Sequence, residues 1–145
     1  MEREATYDEK KKFLEEYYRL KSKEEVYQLE LDALDKLGQY PNNVITGLPK
    51  GKGGKKDLSD VMELLEDKRE DILSARLRAT KSAVRIMDVI NQLDDEDEKK
   101  ILMRRHVHCW SWNRICDCMN YSRSGMDKKY RKAVNEIVLK IKVKE

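Results

Sequence analysis

The sequence predicts an all-α protein: a long antiparallel helical hairpin of coiled-coil character, followed by a C-terminal helix-turn-helix. Three observations predict it. Ala, Glu, Leu, Lys and Arg supply nearly half of the 145 residues and prolines number two, a composition typical of long helices. Leu58, Leu65, Ile72, Ala79, Ile86 and Leu93 recur every seven residues, the period of a left-handed helical seam. Between Trp112 and Ile137, two short apolar stripes at helical spacing are separated by a few turn-forming residues.

The first helix is expected over 5–37. Phe13, Leu20, Tyr27 and Leu34 are seven apart, with Tyr17 and Leu31 four after the first and third, which draws a narrow apolar stripe. Gly38 suits the left-handed residue that ends a helix. Residues 38–56 then hold five of the six glycines, both prolines and four lysines, so a flexible loop is expected. This stretch has neither the G-x4-G-K-[ST] spacing nor the preceding strand of a phosphate-binding loop. A solvated loop, an accessory DNA-backbone contact and a protein contact all remain open for it.

The second helix is expected over 58–93, with Val61, Ala75, Ala83 and Ile90 near a second apolar column. Its natural partner is the first helix. A single neighbour leaves Ile72, Ile86, Val89 and Ile90 to cover together, so a homodimer through the long helices is also expected. Residues 1–93 thus form a hairpin domain for oligomerisation or partner contact, and residues 94–145 a second domain. Asp94 to Glu98 open the latter with negative charge, which favours a helix N-terminus. Ile101, Leu102 and Val107 are expected to pack behind the two short helices of the C-terminal stretch.

Trp112, Ile115, Cys116 and Met119 share one face of a short helix that Ser111 can cap. Asn120 and Tyr121 turn the chain, Ser122 caps again, and Met126, Tyr130, Ala133, Val134, Ile137 and Ile141 form the next stripe. Two short helices so joined are the arrangement in which the second enters the major groove of DNA. With the stripe inward, Arg123, Ser124, Asp127, Lys128 and Arg131 remain outside to read bases or fix register. Ser122, Lys129, Lys132 and Arg105 are the candidates for phosphate contact. A basic solvated helix with no ligand is the plainer alternative. Trp112 and Tyr121 read as packing residues; Trp110 lies in the turn and faces the DNA backbone, a partner or Leu102.

The run DEDEKKILMRRHVHCWSWNRICDCMNYSRSGMDKKYRKAVNEI resembles region 4 of the bacterial sigma-70 family, and more closely that module in phage transcriptional regulators of the ArpU and RinA type. The resemblance is carried by Leu102, Arg105, Val107, Ser111, Trp112, Ile115, Tyr121, Ser122, Met126, Ala133 and Val134. It implies promoter or operator recognition in a phage or mobile-element operon, with RNA polymerase as a further contact. The chain departs from the pattern at His106, where the family has tyrosine, and at Arg114, which leaves the capping box from Ser111 incomplete. Cys109 stands where the family has a turn glycine, and Gly125 interrupts the second helix at a cost of about 1 kcal/mol.

Charge agrees with this division. Residues 95–145 hold 13 Lys+Arg against 8 Asp+Glu, a net of +5, whereas residues 1–94 hold 18 against 20, a net of −2. No apolar run approaches the ~18 residues of a membrane span, and the start is unlike a secretion signal, so a cytoplasmic protein with reduced cysteines is expected. His106, His108, Cys109, Cys116 and Cys118 crowd together but lack C-x2-C spacing, so no metal and no cofactor are expected. With no H-E-x-x-H or G-x-S-x-G, neither is an enzyme. The leading expectation is a sequence-specific regulator binding double-stranded DNA. A small-terminase-like packaging oligomer and an RNA polymerase-interacting adaptor are the alternatives.

Overall fold

The computed structural model describes residues 1–38 and 54–143. Its elements run β1 (Glu2–Glu4), α1 (Tyr7–Gly38), α2 (Gly54–Ile90), α3 (Glu96–Leu102) with a π-helical turn at Met103–Val107, α4 (Trp112–Met119), α5 (Arg123–Glu136) and β2 (Lys140–Lys142). The protein is mostly helical, with a second long helix packed against the first. Residues 39–53 of the expected loop lie outside the described residues, and Gly54 to Lys56 are already helical. The chain divides into two compact units, Met1–Arg19 with Ala79–Glu145, and Leu20–Arg78. The expected partition at 93/94 rests on the end of the heptad column and the acidic run after it; this one follows contacts in space.

The first unit holds a continuous core. Leu14, Ile86, Ile90, Leu93, Ile101, Leu102, Ile115, Met126, Ala133, Val134 and Ile137 are buried together, so α3, α4 and α5 close over the adjoining ends of the long helices. Asp95 caps α3 by accepting hydrogen bonds from the Asp97 and Glu98 amides, relieving donors that a helix start leaves unpaired. Ile101 and Leu102, one turn on, are fully buried.

An expectation of purely helical structure fails at the two ends. β1 and β2 pair antiparallel, with Glu2 opposite Lys142 and Glu4 opposite Lys140. Ile141 therefore lies on a strand and not on the stripe of α5, which ends when Ile137 takes an extended conformation at φ −65, ψ 146. From Ile137 the burial alternates residue by residue through Ile141, a period of two that suits a strand. The helical spacing to Ile141 was coincidental; pairing with β1, remote in sequence, selects the strand. Lys10 secures the junction, donating from its buried ammonium to the Asn135 carbonyl at 2.9 Å and meeting Glu4 at 3.1 Å.

In the second unit, Lys68 meets Glu30 at 2.6 Å and Arg76 meets Glu24 at 2.8 Å. Later positions on α2 thus meet earlier positions on α1, and the helices run antiparallel there. Leu31 and Ile72 are buried, whereas Leu29, Leu58, Met62, Leu73 and Leu77 are exposed. The heptad column is accordingly covered only in part: Ile72, Ala79, Ile86 and Leu93 are buried, and Leu58 is exposed. Ile72, Ile86 and Ile90, expected to exceed what one neighbour can cover, are buried within the single chain and Val89 is half-buried. They give no reason for a dimer.

Candidate nucleic-acid interface

α4 begins at Ser111, whose hydroxyl accepts from the Arg114 amide at 3.3 Å. Ile115 is buried, and Trp112, Cys116 and Met119 are half-buried on the same face, so the stripe packs inward. The helix stops because Asn120 adopts the left-handed region, φ 60, ψ 39, a conformation that Asn tolerates better than most residues. Tyr121 follows, its hydroxyl donating to Asp97 at 3.2 Å. Ser122 then caps α5 by accepting from the Gly125 amide at 3.1 Å. A Cβ at residue 125 would lie 3.1 Å from that hydroxyl, so glycine leaves the cap room to close.

α5 has two unlike faces. Met126, Tyr130, Ala133 and Val134 are buried; Arg123, Ser124, Asp127, Lys128 and Arg131 are exposed. Arg123 and Asp127 pair at 3.8 Å. Tyr130 anchors the helix: its ring meets Trp112 edge-on, 4.8 Å between centroids, and its hydroxyl shares a 2.9 Å hydrogen bond with His106. Burial, with Arg105 and Lys11 nearby, lowers the His106 pKa to about 3, so this imidazole is neutral at physiological pH.

The expected phosphate contacts separate. Ser122 and Lys132 are exposed, although the Lys132 ammonium also lies 3.8 Å from Glu98 and 3.9 Å from Glu136. Lys129 is drawn into a 2.7 Å ion pair with Asp95, the cap of α3; the hydrogen bond between them raises the lysine pKa and lowers that of the aspartate. Arg105 is half-buried, donating to the Trp110 carbonyl at 3.0 Å with its guanidinium 4.8 Å from the Trp112 ring centre. Both side chains brace the helices more than they face outward.

The fold adds Lys11 and Arg114 to the residues that the sequence singles out, and gives Arg104, a further phosphate candidate by sequence, a place beside Trp110. The start of α1 flanks α5, and Lys11 shares a cavity of about 550 Å³ with Arg105, Trp112, Asp127 and Arg131. Arg104 and Arg114 flank Trp110, at 5.4 and 3.8 Å from its ring centre. Among the described residues, no three His, Cys, Asp or Glu side chains gather as a metal site, and no helix is long and apolar enough to cross a membrane.

A family model described as "Protein of unknown function (DUF1492)" matches residues 43–138, about two thirds of the chain. The chain belongs to the DUF1492 family. The DUF1492 region takes in α2 through α5, and hence both helices of the candidate interface. No curated protein and no solved structure matches the chain significantly.

Proposed function

We propose that this DUF1492 protein is a sequence-specific regulator of transcription that binds double-stranded DNA through a helix-turn-helix formed by α4 and α5. One observation carries the reading. α5 buries its apolar face completely and turns Arg123, Ser124, Lys128 and Arg131 outward, immediately after a capped turn. Arginine and lysine donate to guanine in the major groove, and a Ser hydroxyl serves bases or phosphate. Asp127, 3.8 Å from Arg123, stands beside it on the same exposed face. The resemblance to sigma-70 region 4 and to phage regulators of the ArpU and RinA type supports an operator or promoter as target, with RNA polymerase as a further partner.

Selection from random duplex DNA at fixed salt should yield a defined sequence, because phosphate attraction alone gives affinity without preference. The R123A/K128A variant should lose that shift while retaining its helicity. Specific binding by the variant would overturn the reading.

A second reading, association through the long helices, is favoured by the exposed leucines of the Leu20–Arg78 unit, since apolar area left in water gains by burial against a partner. A homodimer through the long helices fits the regulator. A ring of many subunits in light scattering would instead favour DNA packaging. Capture of RNA polymerase by R123A/K128A would favour an adaptor.

A further inference from the structure

Trp110 is held at both ends of its own backbone. Its amide donates to the Arg104 carbonyl at 2.9 Å, and its carbonyl accepts from the Arg105 guanidinium at 3.0 Å. The indole so fixed carries two further arginines, Arg114 at 3.8 Å and Arg104 at 5.4 Å from the ring centre. Neither Arg104 nor Arg114 has a carboxylate partner among the described residues. Two guanidiniums near one ring repel each other, while the ring's negative face attracts each of them.

A guanidinium that lies flat on an aromatic face keeps its N–H edge for hydrogen bonding. That edge matches the paired oxygens of a phosphodiester. The cationic side of α5 is linked to this group through Trp112: Arg123 lies 5.5 Å from its ring centre, and Arg105, 4.8 Å from the same ring, donates to the Trp110 carbonyl.

We propose that Trp110 is a positioning residue that holds Arg104 and Arg114 as a clamp on the DNA sugar-phosphate backbone, beside the bases that α5 reads. The inference rests on the DNA-binding reading and deepens it. It moves the principal phosphate contact from Arg105, whose donor is already engaged, to its neighbour and to the first turn of α4. An acidic protein surface is the competing occupant.

The test is affinity for the selected duplex as a function of salt, with random-sequence duplex as comparison. Each phosphate contact contributes about 0.9 to the slope of log K against log salt. R104A/R114A should therefore lower the slope by nearly 2 while base preference is unchanged. W110F, which keeps an aromatic platform, should retain most of the slope, and W110L should lose it with both charges still present. An unchanged slope in R104A/R114A overturns the clamp while leaving α5 as the reader, and would direct attention to an acidic partner. A slope unchanged in W110L overturns the positioning role. Failure of the unaltered protein to bind either duplex overturns both the clamp and the reading beneath it.

Discussion

The two compact units are built from the same two long helices yet are held together differently. Where α1 and α2 adjoin α3, α4 and α5, Leu14, Ile86 and Ile90 are fully buried. In the Leu20–Arg78 unit each helix has one long neighbour. Leu31 and Ile72 are covered there, but Leu29, Leu73 and Leu77 remain more than half exposed. Exposed ion pairs between the helices contribute at most about 1 kcal/mol each. A heptad repeat therefore specifies pairing, whereas depth of burial depends on how many elements arrive. The larger unit is stabilised by packing and presents a fixed helix. The smaller one leaves apolar side chains exposed.

The largest expected effect tests that contrast directly. Ile115→Ala, in the larger unit, should lower unfolding free energy by roughly 2–5 kcal/mol in urea titration, because a fully buried side chain leaves a cavity. Ile72→Ala should cost less, about 2 kcal/mol or below, since its surroundings can collapse. Equal losses would show that the smaller unit is as tightly packed as the larger.

Next comes a carboxyl inside the larger unit. Glu98 is fully buried, neither oxygen has a hydrogen-bond partner among the described residues, and the Lys132 ammonium stands 3.8 Å away. Burial, reinforced by Glu136 beside it, raises its pKa from 4.5 to about 7. The folded state thus favours the protonated form. Its stabilising contribution is full below about pH 4.5 and is lost as pH rises through about 7. Glu98→Gln should remove that loss from thermal melts followed between these values. A wild-type pH profile in the variant would exonerate Glu98.

A smaller gain is expected at Cys109, which takes φ 59. A side chain strains that conformation and glycine does not, so Cys109→Gly should stabilise the larger unit by roughly 1 kcal/mol. No gain in melting temperature would show that the thiol contributes as much as the strain removes. Smallest of all, Arg76→Ala breaks a half-exposed pair with Glu24 and should cost less than about 1 kcal/mol. A larger loss would mean that ion pairing, not packing, sustains the smaller unit.

Local signals in the sequence carried much of this architecture. The caps Ser111 and Ser122, the turn at Asn120 and the inward stripe from Met126 to Val134 act within one or two helical turns, so their spacing marks α4, α5 and the exposed side chains between them. The strained position at Cys109 is legible through the resemblance, which puts a turn glycine there, and not through local spacing. The features that escaped depend on partners distant in the chain. Nothing near Glu2 or Ile141 announces that the termini pair as strands, and nothing near Lys10 announces the Asn135 carbonyl. Lys129 and Arg105 look free in sequence because Asp95 and the Trp110 carbonyl meet them only after helices pack.

By itself, then, the sequence determined the helices, their caps and the two-faced character of α5, because helix formation and capping are settled by neighbours a few residues away. Tertiary structure alone decided which cations stay available, which apolar columns are covered and where Arg104 and Arg114 converge. Burial and ion pairing depend on distances in space between residues that the chain keeps far apart.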